Sequence, residues 1–244
     1  MGVRIPWAPS RAGRFNLAEL EIEPARTALL VVDLQRGYVE PSMGVGPTLR
    51  RFPEINQYYY GRLSSVVLPN VIRLIDFCRR HRLEVVFTRQ GYQTRDARDL
   101  PPWNWRRAQV GVPEERLFWA GRPEFELVAE LAQTDDLIVD KVSSGPFATS
   151  ALDQYLRNLS IENLLIVGVL TNVAVETAAR DAGDRGYNVI GVEDACAAYW
   201  PEEHEDAMSS ASWWVAKSTG FIIETLGRAL ASLEAAPGEG PRRT

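Results

Sequence analysis

Short, uninterrupted apolar runs recur along the chain, each separated from the next by a stretch with helical periodicity. The strand candidates are residues 28–32 (ALLVV), 84–87 (EVVF), 137–139 (LIV), 164–167 (LLIV), 188–192 (NVIGV) and 221–223 (FII). A strand that is apolar at nearly every position must hide both faces, as happens when helices cover a parallel sheet on each side. Parallel neighbours also need long crossovers, which the intervening amphipathic segments supply. Val71, Leu74, Ile75 and Cys78 fall at i, i+3, i+4 and i+7 behind a Pro69-Asn70 start signal. Further helices are expected over 149–156, 172–185, 202–216 and 226–233. The pattern predicts a three-layer α/β/α fold around a six-stranded, mainly parallel sheet.

Residues 27–234 read as one domain, with an N-terminal arm at 1–26 and a Gly/Pro/Arg tail at 235–244 that is expected to be disordered. Two stretches break the rhythm. Residues 40–65 are rich in Pro, Gly, Tyr and Arg, and residues 91–123 carry Trp103, Trp105, Trp119 and several arginines. Loops this long inside a compact domain are functional lids or disordered insertions, and the aromatic content argues for the former. A net charge of −5 argues against nucleic acid or an anionic membrane as the partner. No apolar run approaches the roughly 18 residues of a membrane span. The start, MGVRIPWAPSRAGRF, has no apolar leader core, and Pro6 stands where a myristoylation pattern needs Ser or Thr. A cytoplasmic location is therefore expected. Two cysteines and two histidines are too few for a Cys-rich zinc module or a disulfide scaffold.

In an open parallel sheet, ligands bind beyond the carboxyl ends of the strands, so the strand ends carry the chemistry. The first strand ends in Asp33-Leu34-Gln35, where the carboxylate is either a catalytic group or a turn cap. The third ends in Asp140-Lys141, where a lysine is either functional or a solvated strand end. The fourth runs through Gly168-Val169-Leu170-Thr171-Asn172 into a helix. The first N–H groups of such a helix can bind an anion or a developing oxyanion, or the turn is an ordinary one capped by Thr171 or Asn172.

Together these sites resemble the isochorismatase-like superfamily of cysteine hydrolases, the nicotinamidase and N-carbamoylsarcosine amidohydrolase group. The resemblance runs from about residue 28 to residue 221. It is carried by LLVVDLQ with Asp33, VDKVSSGPF with Lys141, GVLTNVAVETAARDA, and VEDACAA after the next strand. The WNWRRAQVG stretch and KVSSGPF look closest to amidohydrolases acting on ureido compounds such as biuret or ureidoacrylate. The resemblance implies a small-molecule amide or ureido substrate and a catalytic Asp, Lys and Cys. The Asp takes the thiol proton and returns it to the leaving amine. The Lys is a fixed cation that favours the thiolate. The thiolate attacks the carbonyl, an amine or ammonia leaves, and water hydrolyses the thioester. By motif, Asp33 would be the base and Lys141 the cation. The N–H groups of Leu170 and Ala174 would form the oxyanion hole, beside a cis peptide at Val169–Leu170.

The pattern departs from the family at its centre, because Ala174 stands where the motif expects the nucleophilic Cys. Cys196 lies after the following strand and Cys78 on the apolar stripe of a helix, so both read as structural. Three explanations stay open: a Cys→Ala replacement that traps substrate, a thiol-free hydrolase using Asp33 as general acid on an enol ether as the isochorismatase branch does, or a catalytically silent binding homologue. No cofactor and no metal are expected. His81 ends a helix where a cation suits the dipole, and His204, within the acidic PEEHED, reads as surface solvation.

The expected pocket lining is Gln35 and Tyr38 behind Asp33, with Glu176 and Thr177 one turn into the nucleophile helix. Arg106 and Arg107 would clamp a carboxylate or carbonyl between Trp103 and Trp105, or these tryptophans pack a subunit interface. Residues 56–60 (NQYYY) read as a lid or a dimer contact, and a homo-oligomer, dimer or tetramer, is expected.

Overall fold

The computed structural model describes residues 2–6, 19–102, 118–209 and 214–235. Near the N-terminus, β1 (Val3–Ile5) and β2 (Leu20–Ile22) form a small antiparallel pair. The main sheet contains β3 (Thr27–Val32), β4 (Glu84–Gln90), β5 (Leu137–Lys141), β6 (Asn163–Val169), β7 (Asn188–Ala197) and β8 (Val215–Lys217). Their order is β5-β4-β3-β6-β7-β8, and every neighbouring pair is parallel.

Helices cover both faces: α1 (Pro53–Arg62), α2 (Leu68–Arg80), α3 (Leu152–Asn158), α4 (Glu176–Asp184), α5 (Pro201–Ser209) and α6 (Thr219–Ala235). All of β3 is buried, and its side chains divide by the strand period of two. Leu29 and Val31 enter one core, which α1, α2 and α6 close together with Ile5 and Ile22 of the small pair. Ala28, Leu30 and Val32 enter the other, against Leu152 and Leu156 of α3 and Ala178, Ala179 and Ala182 of α4. The three expected layers are thus present. The alanine stripe lets α4 lie close to the sheet, directly behind the turn that follows β6.

From β3 the chain works outward through β4 to β5, then returns beside β3 as β6 and works outward the other way. The connections of β3 and β6 therefore leave in opposite directions, which opens a crevice at their carboxyl ends. Gly168 makes their close approach there feasible. Its φ is +120°, and a Cβ at this position would lie 2.0 Å from the carbonyl oxygen of Val32. Gly168→Ala is expected to cost about 2 kcal/mol or more, through both a disfavoured backbone and a backbone collision. A denaturant midpoint equal to that of the parent chain would contradict this.

Three expectations need correction. The run 221–223 is not a strand; it lies in the first turn of α6, where Ile222, Leu226 and Leu230 are buried at intervals of four. The sixth strand is β8, so the helix expected over 202–216 ends at Ser209 among the described residues, and Val215 and Ala216 are extended. Residues 40–65 are not a loop. They hold a helical turn at Gly46–Leu49, then α1, which continues into Leu63–Val67. Pro53 at the first helical position presets the backbone angle. Tyr59, Leu63 and Val67 then repeat at intervals of four, all buried. In the NQYYY segment, Tyr59 and Tyr60 belong to the core. The helix expected over 172–185 starts as a wide π-type turn, Thr171–Val175, before becoming α4.

Candidate active site

Just beyond β3, Asp33 turns the chain with φ +52°, a left-handed conformation that Asp tolerates better than most residues. Its side chain reaches sideways over the neighbouring strand ends. Register sets Val32 beside Thr88 and Gln90 beside Lys141, so groups from three adjacent strand ends converge. Lys141 starts two strands from Asp33, a gap of roughly 10 Å that its four-carbon stem helps to span. Lys141 Nζ donates to Asp33 Oδ2 at 2.7 Å, to the carbonyls of Ser144 and Ser143 at 2.9 and 3.1 Å, and to Gln90 Oε1 at 3.3 Å. Thr88 donates its hydroxyl to Asp33 Oδ1 at 2.6 Å. Both charged residues are 1% exposed.

Burial pushes the Asp33 carboxyl above its ordinary value, against the opposing effects of Lys141 and Thr88. Burial likewise pushes the Lys141 ammonium down, against the attraction of Asp33. Both shifts favour the uncharged forms, and the two groups titrate as a pair rather than singly. A carboxyl in that state is suited to receive a proton and to return it.

Across the crevice, β6 ends at Val169, which is joined to Leu170 by a cis peptide bond, as the resemblance implies. In the turn that follows, the N–H groups of Val173 and Val175 donate to the Leu170 carbonyl at 3.0 and 3.2 Å. The first N–H groups of a helix lack acceptors within it, so this stretch has donors to offer an anion. Ala174 sits in the turn, 2% exposed, with only a methyl group to present.

Other expected site residues fall into four groups. Tyr38 keeps the company of the site: burial and then the charge of Asp33 raise its hydroxyl well above the usual value, and its ring meets Phe118 edge-on at 4.6 Å. Gln35 is held by the backbone. Its amide nitrogen donates to the carbonyls of Phe125 and Gln90 at 2.7 and 3.0 Å, and its oxygen accepts from the Gln90 N–H at 2.8 Å. Glu176 and Thr177 bond within their own helix, to Arg180 and to the Val173 carbonyl. Trp103, Trp105, Arg106 and Arg107 lie outside the described residues. The returning end of their segment is anchored near Tyr38 through Phe118 and through a bridge between Tyr92 and Trp119.

Thr88 and Gln90 were not among the expected residues, since only the pairing of β3, β4 and β5 brings them to Asp33 and Lys141. His204 is a correction. Its acidic neighbours suggest solvation, yet it is 7% exposed and packs with Ala207 and Met208 at helical spacing on the inner face of α5. That i, i+3, i+4 pattern was the available signal. Cys78 and Cys196 are buried free thiols, both pushed up to about 12 by burial. Among the described residues, no group of three His, Cys, Asp or Glu side chains is placed to hold a metal, and no helix is long and apolar enough to cross a membrane.

A buried carboxyl, a buried lysine and a helix-start turn thus stand at the carboxyl end of the sheet, and the comparisons with known proteins are with a family of hydrolases. Over 188 residues the chain is 33% identical to the isochorismatase family protein YwoC of Bacillus subtilis, covering 76% of this chain and 85% of that one. It is 28% identical over 227 residues to the ureidoacrylate amidohydrolase RutB of Acinetobacter baylyi, covering 86% and 89% of the two chains. A solved cysteine hydrolase from Pseudomonas syringae pv. phaseolicola superposes with a TM-score of 0.69 at 25% identity, over 85% of this chain and 95% of that one. The isochorismatase domain model matches residues 27–223, from the start of β3 into α6, and with the whole main sheet inside that match the chain belongs to the isochorismatase family.

Proposed function

We propose that this chain carries the hydrolase framework for a small amide or ureido C–N bond, with Ala174 at the position of the nucleophile. Asp33 is the proton-transfer group, Lys141 the fixed cation, and position 174 the seat of the attacking atom. The observation that carries this reading is the fully buried Asp33–Lys141 contact of 2.7 Å at the switch point. Burying two such groups costs several kcal/mol of lost hydration each, a poor investment for a strand end that needs only a cap. The naming of a relative as a ureidoacrylate amidohydrolase supports the bond type.

With a thiol at position 174, Asp33 would accept its proton and the sulfur would attack the substrate carbonyl carbon. The N–H groups of Leu170 and residue 174 would hold the resulting oxyanion. The C–N bond then breaks as Asp33 returns the proton to the leaving nitrogen, and water releases the acyl group from sulfur. The methyl group of Ala174 has no electron pair, so this chain binds such a substrate without entering the covalent route. Trp103, Trp105, Arg106 and Arg107 are the proposed walls and clamp for the rest of the substrate.

One observation favours a second reading. A carboxyl pushed up by burial is also a general acid, and a thiol-free route in which Asp33 protonates an enol ether would leave Ala174 a bystander. The two readings separate in one assay set. The first predicts ammonia release only from Ala174→Cys. The second predicts enol-ether hydrolysis by the unaltered chain, lost in Asp33→Asn. A chain inactive in both forms is a silent binding homologue.

A further inference from the structure

His204 links the turn after β6 to the opposite side of the fold. Its Nε2 lies 2.8 Å from Arg62 Nη2, and its Nδ1 lies 2.9 Å from Thr171 Oγ1. A guanidinium nitrogen only donates, so Nε2 must offer its lone pair. A neutral imidazole with a bare Nε2 carries its hydrogen on Nδ1, and that hydrogen points to the Thr171 hydroxyl oxygen. Arg62 is itself fixed, because Nε donates to the Cys196 carbonyl at 3.0 Å and Nη2 to the Glu193 carbonyl at 2.9 Å. One guanidinium at the end of α1 thus ties the end of β7 to α5 and dictates the tautomer with which α5 grips residue 171.

Thr171 is fully buried and stands between Leu170 and Ala174, the two residues proposed to supply the oxyanion donors. We propose that His204, set as the Nδ1–H tautomer by Arg62, is the positioning residue of the 170–175 turn and holds those N–H groups in the orientation an oxyanion needs. This rests on the functional reading of the turn given above, but the grip itself can be measured without turnover. Burial, reinforced by the charge of Arg62 and opposed by the Glu193 carbonyl, pushes the imidazole down to about 4, so the neutral form persists through neutral pH.

The test separates the two ring nitrogens. In His204→Asn the amide nitrogen falls where Nδ1 was, keeping the Thr171 donor and losing the Arg62 acceptor. In His204→Gln the amide falls near Nε2, keeping the Arg62 contact and losing the grip on Thr171. Imidazole nitrogen NMR of the full chain should show Nδ1 protonated and Nε2 bare. Hydrogen exchange at Val173 and Val175, whose N–H groups donate to the Leu170 carbonyl, should quicken about tenfold in His204→Gln and stay near the parent rate in His204→Asn. The proposal is overturned by a bare Nδ1, by unchanged exchange in His204→Gln, or by equal quickening in both variants, which would mean that the ring's bulk holds the turn. In an Ala174→Cys background, the Gln change should lower kcat about tenfold with little change in KM, and the Asn change should not. Absence of turnover in that background, with the exchange contrast intact, counts against the functional reading and still supports the grip.

Discussion

Ala174→Cys is expected to release ammonia from ureido or amide substrates at least roughly 10³-fold faster than the unaltered chain, the scale on which a covalent nucleophile matters. The substitution adds one sulfur atom at a position 2% exposed, in the turn that the proposed mechanism pairs with Asp33 as base and Lys141 as cation. Asp33→Asn added to that variant should remove about 10²–10⁴-fold of the gain, because the amide can neither accept the thiol proton nor return it to the leaving nitrogen. Asn also tolerates the left-handed backbone at residue 33, so the loss would reflect chemistry rather than a broken turn. Asp33 must be ionised to act as base, and burial raises its carboxyl above the ordinary value. Activity should therefore fall away on acidification at a higher pH than an unperturbed carboxylate would give. No gain across a panel of ureido and amide compounds would sink the C–N reading and leave the thiol-free or silent alternatives.

Lys141→Met is expected to destabilise the chain by about 3–5 kcal/mol, because it strands a buried carboxylate without its cation. For a chain of this length that corresponds to a fall in Tm of roughly 10 °C. Thr88 remains as a hydrogen-bond donor to Asp33, but the carbonyls of Ser143 and Ser144 lose theirs. Without Lys141, burial raises the Asp33 carboxyl further. A group raised in the folded state keeps its share of stability below its unfolded value and loses it as pH climbs through the folded one. The deficit should thus be larger at neutral pH than under acidic conditions. Asp33→Asn combined with Lys141→Met removes both charges and should melt above Lys141→Met alone, the coupling a double-mutant cycle reads. A Lys141→Met variant that melts with the parent chain would show that the two groups are not a buried, mutually dependent pair.

Most of the strands that were legible in the sequence are hidden on both faces. The runs beginning at residues 28, 84, 164 and 188 lie within β3, β4, β6 and β7 because double burial leaves an unbroken apolar signature. The run at 137 lies within β5, an edge strand that stays apolar although Ile138 is exposed. β8 is a three-residue edge strand with mixed burial, so it leaves no such run, and the apolar 221–223 segment invited the assignment instead. α1 was hidden by its composition, since Pro, Gly and tyrosines read as loop until the interval of four between Tyr59, Leu63 and Val67 is counted. In the site, Asp33 and Lys141 were legible because each closes a strand within a recognisable motif. Thr88 and Gln90 were not, because nothing local to β4 tells which strands flank it. His204 was misread for a related reason: its acidic neighbours on α5 face water, whereas its own environment is set by Arg62 and Thr171, both distant in sequence.

The most direct test of the central claim, that the Asp33–Lys141 pair is there to activate an atom at position 174, needs no substrate. It is the pH titration of the thiol in Ala174→Cys, followed by thiolate ultraviolet absorbance as the difference from the unaltered chain. Cys78 and Cys196 are both pushed up to about 12, so a thiolate forming near neutrality belongs to the new residue. The account predicts ionisation at least about one unit below the ordinary thiol value of about 8.5, with that lowering lost when Lys141→Met is added. A thiol at position 174 that titrates at or above the ordinary value, and is indifferent to Lys141, would contradict it.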